Sequence, residues 1–173
     1  MNTLLHVCCA PCANQCIEVL RGDHYTVTGY WYNPNIHPFT EYRSRRNCLR
    51  DYAKTIDLPL IERDDYGLRP FVREVAEDIE HRCIKCYEMR LFDTARAAAE
   101  GGFDSFTSSL FISPYQNHEL MREVASGLPS STALNSSTEI SALTSEPVRK
   151  RLVNWKCISK NIAAAFFPSK KDT

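Results

Sequence analysis

The chain has 173 residues, and 43% of them are hydrophobic, which is enough for one domain with a buried core. Its 21 basic and 21 acidic residues cancel, so the net charge predicts no nucleic-acid partner. No apolar run is long enough to span a membrane, and the first residues do not resemble a secretory signal. We therefore expect a cytoplasmic protein that does not contact a membrane.

Segments typical of strands and of helices alternate along the chain. Strands are expected at 3–7, 25–32, 58–62 and 104–109. Helices are expected at 10–21, 40–56, 69–79 and 83–100, and a last helix follows 113–116 and runs to 125. Thr40 is expected to cap the second helix. This order predicts an α/β fold with a mostly parallel sheet and helices on both of its faces.

Several polar residues and cysteines come directly after the predicted strands. In sheets of this class, functional sites form beyond the carboxyl ends of the strands. We therefore expect the following residues to converge at one edge of the sheet, although they are scattered in sequence: Cys8, Cys9, Asn33, Asp64 and Ser108.

The eight cysteines admit two interpretations, structural disulfides or metal and redox chemistry. Disulfides are typical of small secreted domains, whereas Cys-x-x-Cys spacing in a cytosolic chain favours metal or redox chemistry. We therefore favour the second interpretation. Cys16 and Cys48 are expected to be buried helix residues rather than ligands.

The segment from His6 to Cys12 places three thiols where a strand turns into a helix. Pro11 suits the first turn of a helix, and the helix N-terminus favours thiolate over thiol. His6 lies on the strand before the thiols, so it is expected to be a hydrogen-bonded core histidine rather than a ligand.

A second cysteine pair, Cys83 and Cys86, lies far from the first group in sequence. Thiolates from two separate segments can hold an iron–sulfur cluster or a zinc ion. Adjacent side chains diverge and can bind different irons, which favours the larger cluster. We predict that Cys8, Cys9, Cys83 and Cys86 bind a [4Fe–4S] cluster and that Cys12 is a spare thiolate beside it. Zinc in the same cage remains the alternative.

Two basic stretches lie near aromatic residues. The first comprises Arg43, Arg45, Arg46 and Arg50, and the second comprises Arg82, Lys85 and Arg90. Together with Tyr32, Phe39 and Tyr42, such residues can bind an RNA loop through phosphate contacts and stacking. On composition alone, a solvated surface is slightly favoured over this interpretation.

Four segments resemble the QueH family of epoxyqueuosine reductases, namely 4–12, 32–36, 82–91 and 106–116. The resemblance runs from the start of the chain to about 125. It implies a Rossmann-like (HUP-like) fold and a [4Fe–4S] cluster held by Cys8, Cys9, Cys83 and Cys86. It also implies reductive removal of the epoxide oxygen from epoxyqueuosine in the tRNA anticodon loop, with electrons from an unknown donor.

That reaction needs a group to stabilise or protonate the departing oxygen. A second metal ion beside the cluster is one source of such stabilisation. The candidate side chains are Cys12, Asp64, His81, Glu88 and Tyr115.

The sequence changes character after about 127, where half of residues 126–145 are Ser or Thr. We expect a catalytic α/β domain at 1–127 and an atypical tail at 128–173. The tail lacks the Tyr-Cys-Gly-Cys segment with which the family ends. Codons for 160–166 can be chosen so that a shifted frame encodes Lys-Tyr-Cys-Gly-Cys-Ile, which favours a frameshift near 127–129. A divergent tail is the alternative, and loss of the cysteine pair would remove activity.

Two other functions remain open at this point. A zinc-bound nucleic-acid-binding module without catalysis would use the same cysteines. An ATP-dependent tRNA thiolase on a similar fold would need a Ser-Gly-Gly loop after the first strand, where this chain has Cys-Cys-Ala-Pro.

Overall fold

The computed structural model describes residues 1–113 and 115–127. The strands are β1 (Asn2–His6), β2 (Thr26–Trp31), β3 (Leu60–Glu62) and β4 (Ser105–Ser108). The helices are α1 (Ala10–Gly22), α2 (Phe39–Thr55), α3 (Leu68–Val75), α4 (Arg82–Glu100) and α5 (His118–Ser126), and a 3₁₀ turn covers Ser109–Ile112. The tail prediction for 128–173 lies outside the described residues and stays a prediction.

The four strands form one parallel sheet in the order β3-β2-β1-β4. Leu5 of β1 lies opposite Gly29 on one side and Thr107 on the other. Each parallel connection needs a crossover, and the intervening helices supply it. The predicted α/β, Rossmann-like fold is therefore confirmed.

Helices cover both faces of the sheet. Neighbouring residues of a strand point to opposite faces, so they show which helices pack on each side. Leu5 and Trp31 belong to the larger core cluster, which also contains residues of α1 and α2. Leu4 and Tyr30 belong to a second cluster with Ala95 of α4. Consecutive residues of β1 and β2 thus pack against different helical layers.

The start of α2 differs from the sequence-based expectation. The carbonyl of Pro38 accepts hydrogen bonds from the backbone N–H groups of Glu41 at 3.0 Å and Tyr42 at 3.1 Å. Because the first helical bonds therefore begin at Pro38, the chain is already helical at Thr40. The prediction that Thr40 caps this helix is wrong.

The helix α3 is shorter than predicted, because it ends at Val75 rather than near Ile79. The Asp78 carboxylate accepts a hydrogen bond from the backbone N–H of His81 at 3.2 Å. Such local side-chain bonds compete with helical ones. The bond between Asp78 and His81 therefore belongs to a separate turn before α4. None of the described helices is long and apolar enough to cross a membrane.

Candidate metal centre

Three thiols meet at the turn between β1 and α1. The sulfur atoms of Cys8, Cys9 and Cys12 all lie within 4.8 Å of one another, and those of Cys8 and Cys9 are 3.9 Å apart. Cys9 is the residue before α1 and has extended backbone angles, while Cys12 lies in the first turn of that helix. The helix start thus folds the third thiol back onto the first two.

The three thiols share negative charge unequally. Hydrogen bonds with the thiols of Cys12 and Cys9 hold the pKa of Cys8 well below its usual range, although burial opposes this shift. A hydrogen bond with Cys12 favours the Cys9 thiolate, but contact with Cys8 and burial outweigh it and raise the pKa of Cys9 to about 12. Contacts with Cys8 and Cys9 raise the pKa of Cys12. A bound metal would compete with protons for these sulfurs.

Ser109 contacts Cys8 twice. Its Oγ accepts a hydrogen bond from the backbone N–H of Cys8 at 3.1 Å and donates to the Cys8 sulfur at 3.4 Å. The contact joins the 3₁₀ turn after β4 to the cysteine turn after β1. From the sequence, Ser108 is expected at this edge of the sheet, whereas Ser109 is not, because its bond joins segments that are 101 positions apart.

His6 of β1 forms hydrogen bonds with β4 and with the residue that follows β2. Its Nδ1 lies 2.8 Å from Ser108 Oγ and its Nε2 lies 3.1 Å from the carbonyl oxygen of Tyr32. Because a carbonyl can only accept, Nε2 carries the proton and Nδ1 accepts from Ser108. Burial, followed by the charge of Arg90, lowers the pKa of His6 to about 4. The imidazole is therefore neutral, and the predicted core histidine is confirmed.

The second cysteine pair lies at the start of α4. Cys83 is exposed and Cys86 is partly exposed. Among the described residues, the group of sulfurs within 4.8 Å of one another contains neither of them. The structure therefore brings Cys8, Cys9 and Cys12 together and keeps Cys83 and Cys86 as a separate pair.

Arg90 contacts one member of this pair, Cys86. Its Nη2 donates a hydrogen bond to the Cys86 sulfur at 2.9 Å, and its Nε donates to the Cys86 carbonyl at 3.1 Å. Only 4% of Arg90 is exposed. Its assignment to a solvent-facing or RNA-facing basic stretch is wrong, because its position on α4 turns it inward.

Arg90 also relates the two cysteine groups in space. Its charge contributes to the low pKa of His6, which precedes Cys8 by two residues, while its guanidinium touches Cys86. Cys8 and Ile84 pack against the same core cluster. Because α4 leads back to the amino end of the parallel strand β4, its start lies at the carboxyl edge of the sheet, the edge that also carries the β1–α1 turn.

Asp64 lies at the same edge, after β3, but its described contacts are with α2. Its carboxylate accepts a hydrogen bond from the Tyr42 hydroxyl at 2.9 Å and forms ion pairs with Arg46 and Arg50. The hydrogen bond from Arg46 is the main cause of a lowered Asp64 pKa. The residue thus carries a stable negative charge.

The other three candidate side chains lie at the surface or near it. His81 is exposed and its Nδ1 lies 2.9 Å from the carboxylate of Asp78. Glu88 forms an ion pair with Lys85 at 2.9 Å. Tyr115 is 87% exposed. A catalytic role for any of them, as for Asp64 and Cys12, stays a prediction.

The first basic stretch is largely neutralised by ion pairs. Three of its arginines have carboxylate partners, namely Arg45 with Glu41, Arg46 with Asp64 and Arg50 with Glu62. Arg43 has no ion pair among the described residues. Its guanidinium instead lies 5.8 Å from the ring centre of Phe39, which is 46% exposed.

Comparison with known proteins identifies one family, both by its family model and by individual relatives. The family model for epoxyqueuosine reductase QueH matches residues 3–141. Curated proteins of that name include one from Dehalococcoides mccartyi, 40% identical over 116 residues, or 67% of this chain and 64% of the relative. Others come from Streptococcus pyogenes serotype M1 (38% over 133 residues, 71% and 52%) and Haemophilus influenzae (37% over 118 residues, 66% and 48%).

The chain thus spans about half to two thirds of the length of these relatives. The matched region begins within β1 and contains both cysteine groups and all the other described helices and strands. The resemblance inferred from the sequence motifs is confirmed: the chain belongs to the epoxyqueuosine reductase QueH family.

Proposed function

We propose that this chain is an epoxyqueuosine reductase that acts on tRNA. The observation that carries the proposal is the meeting of three thiols after β1, at the edge of the sheet where α4 begins with Cys83 and Cys86, in a chain of this reductase family. Such a concentration of sulfur ligands at the carboxyl edge of a parallel sheet suits a bound redox centre.

The available donors fit a [4Fe–4S] cluster. Its ligands would be Cys8, Cys9, Cys83 and Cys86, with two thiolates from each of two elements. Thiolates on one zinc ion, with Zn–S bonds of about 2.3 Å, lie only about 3.8 Å apart. Each thiolate of a cubane binds a different iron, so its ligands are spread more widely. The sulfurs of Cys8 and Cys9, 3.9 Å apart, do not diverge as expected and have the spacing of thiolates on a single ion, whereas the α4 pair lies outside this close group. The choice of a cluster therefore rests on the number of donors and on the reductase family.

Zinc is the less favoured occupant. Zinc has no redox chemistry, whereas the curated relatives are named as reductases. A module that bound only zinc would have no group that transfers electrons, and a reductase needs one. The cysteine set alone accommodates either metal, so metal analysis distinguishes the two functions.

The overall reaction balances as a two-electron reduction. Both carbon–oxygen bonds of the epoxide break, a carbon–carbon double bond forms, and the oxygen leaves as water after taking up two protons. The two electrons come from an external one-electron reductant. The cluster would pass them on singly.

Cys12 lies beside the proposed ligands without being one of them. Its sulfur is within 4.8 Å of those of Cys8 and Cys9. The position suits either of two roles, a ligand for a second metal ion or a proton source for the departing oxygen. The total metal content of the Cys12→Ala variant separates the two roles, because only loss of a metal ligand lowers it.

Two exposed aromatic rings suit contact with an RNA loop. Phe39 begins α2, which follows β2, and Tyr115 follows β4. Both residues follow the carboxyl end of a strand, and β1 lies between those two strands. Aromatic rings and guanidinium planes bind single-stranded RNA by stacking on its bases. We propose that the anticodon loop binds across the carboxyl edge of the sheet.

Turnover tests the proposal directly. The full chain, purified without oxygen, is mixed with tRNA that contains epoxyqueuosine and with dithionite, and the nucleosides are identified by mass spectrometry. We expect conversion to queuosine, and none with Cys86→Ala. An iron–sulfur protein that binds tRNA but never converts it would instead support loss of activity through the missing C-terminal cysteine pair.

A further inference from the structure

Arg90 carries a buried positive charge without a carboxylate partner. Within residues 1–113 and 115–127, none of its contacts is with a carboxylate. Its guanidinium donates to the sulfur and the carbonyl of Cys86 and lies 6.0 Å from the ring centre of Tyr87. A buried charge is costly unless an opposite charge compensates it. Among the described contacts of Arg90, the group that can carry a compensating negative charge is the Cys86 sulfur.

The carboxylate one turn further along α4, that of Asp93, does not compensate the charge of Arg90. Asp93 is the only buried carboxylate in the described part of the chain. It forms ion pairs with Arg63 and Arg96 and accepts a hydrogen bond from the Tyr30 hydroxyl. Two guanidinium groups thus already share this one carboxylate, and within the described part of the chain the negative charge at Arg90 falls to the Cys86 sulfur that it contacts.

Helix geometry fixes Arg90 in this position. Cys86 and Arg90 are four residues apart in α4, so their side chains lie on the same face. Long side chains on a helix lean towards its N-terminus, which directs the guanidinium from Arg90 to the preceding turn. Its charge also reaches His6, beside the first cysteine group.

We propose that Arg90 is the fixed counter-charge of the cluster, and that its hydrogen bond to the Cys86 sulfur makes the cluster easier to reduce. The inference rests on the proposed function, because it takes Cys86 as a cluster ligand. Adding an electron makes the cluster more negative, so a nearby cation stabilises the reduced form more than the oxidised form. Hydrogen bonds to sulfur ligands and local charge are known controls of such potentials. Arg90 is a positioning and tuning residue rather than a catalytic one.

The experiment compares reduction potentials of the full chain with Arg90→Met, Arg90→Lys and Arg96→Met. Arg96→Met is the matched control, because it removes the same charge from the same helix without a described sulfur contact. We expect Arg90→Met to lower the equilibrium constant for reduction about tenfold, which is about 59 mV towards negative values for one electron. Arg90→Lys keeps the charge and should shift the potential less.

The outcomes separate the inference from the proposed function. If the unaltered chain holds no iron and sulfide, the proposed cofactor fails whatever Arg90 does. If it holds the cluster and Arg90→Met matches Arg96→Met in potential, the role of Arg90 is overturned. Should Arg90→Met assemble no cluster, Arg90→Lys decides: a potential below that of the unaltered chain supports the role, whereas an unchanged potential or failure to assemble overturns it.

Discussion

The side-chain amide of Asn33 donates a hydrogen bond to the carbonyl oxygen of Val7 at 2.9 Å. Both residues are fully buried. The bond fastens the loop after β2 to the residue directly before Cys8, so the cysteine turn is held by the neighbouring strand connection as well as by its own helix.

Asn33→Ala should therefore destabilise the protein. It leaves the Val7 carbonyl buried without a partner, which typically costs about 1–3 kcal/mol of unfolding free energy. Urea unfolding of the metal-free protein measures the loss. Asn47→Ala is the control, since Asn47 is exposed and should change stability by no more than about 0.5 kcal/mol. Equal stability of the two variants would contradict a structural role for the Asn33 bond.

Ser108→Ala should weaken the sheet itself. Ser108 Oγ donates to His6 Nδ1 and accepts from the backbone N–H of Leu110 at 3.2 Å. Removing it leaves two buried groups unsatisfied, with an expected loss of about 1–3 kcal/mol in the unfolding free energy. Thermal unfolding of the metal-free protein shows this as a lower Tm. An unchanged Tm would mean that the hydrogen bonds of Ser108 do not stabilise the folded protein.

The Asp64 carboxylate predicts a pH dependence of stability. Its pKa in the folded protein is lowered, chiefly by the hydrogen bond from Arg46. Its contribution is therefore present above the unfolded carboxyl pKa of about 3.9 and is lost as pH falls through the folded value. Since 37% of the side chain is exposed, solvent screening limits it to about 1 kcal/mol.

Unfolding of Asp64→Asn at two pH values measures this contribution. The variant should be less stable than the unaltered chain at pH 7, and the difference should shrink towards zero below the folded pKa. Glu100→Gln, an exposed change at the end of α4, is the control. A difference that grew on acidification would contradict the described ion pairs.

Phe39→Ala tests the proposed RNA surface. Stacking of one base on an aromatic ring contributes about 1–3 kcal/mol, so the Kd for tRNA should rise by a factor between about 5 and about 150. Filter binding at one fixed salt concentration measures it. Ile61→Ala, a change in another exposed apolar residue, lies on β3 and should leave the Kd unchanged. Equal affinity of both variants would place the RNA elsewhere.

The sequence predicts the order of strands and helices well, because alternation and apolar runs are local properties. It also places His6 and Cys16 in the core, as found, whereas Cys48, which is expected to be buried as well, is only partly buried. The start of α2 is misplaced because a backbone carbonyl, that of Pro38, accepts the first helical bonds in place of a side-chain cap. Sequence preferences for capping residues carry no information about that carbonyl.

The residues missed by sequence reasoning depend on contacts between distant segments. Ser109 meets Cys8 across 101 positions, so no local pattern reveals the bond. By sequence, Arg90 belongs to a basic stretch that is expected at the surface. The packing of α4 shows instead that it is buried and contacts Cys86. Asp64 follows a strand as expected, yet the arginines of α2 determine its contacts.

Iron and acid-labile sulfide content of the anaerobically purified chain tests the central claim most directly. We expect iron and sulfide in equal amounts, about four of each per chain for a [4Fe–4S] cluster. Cys83→Ala should lose most of both, while Cys48→Ala, a change in a helix cysteine outside the proposed ligand set, should keep them. Zinc without sulfide, or a Cys83→Ala variant with the same iron and sulfide as the unaltered chain, would contradict a cluster shared between the two cysteine groups.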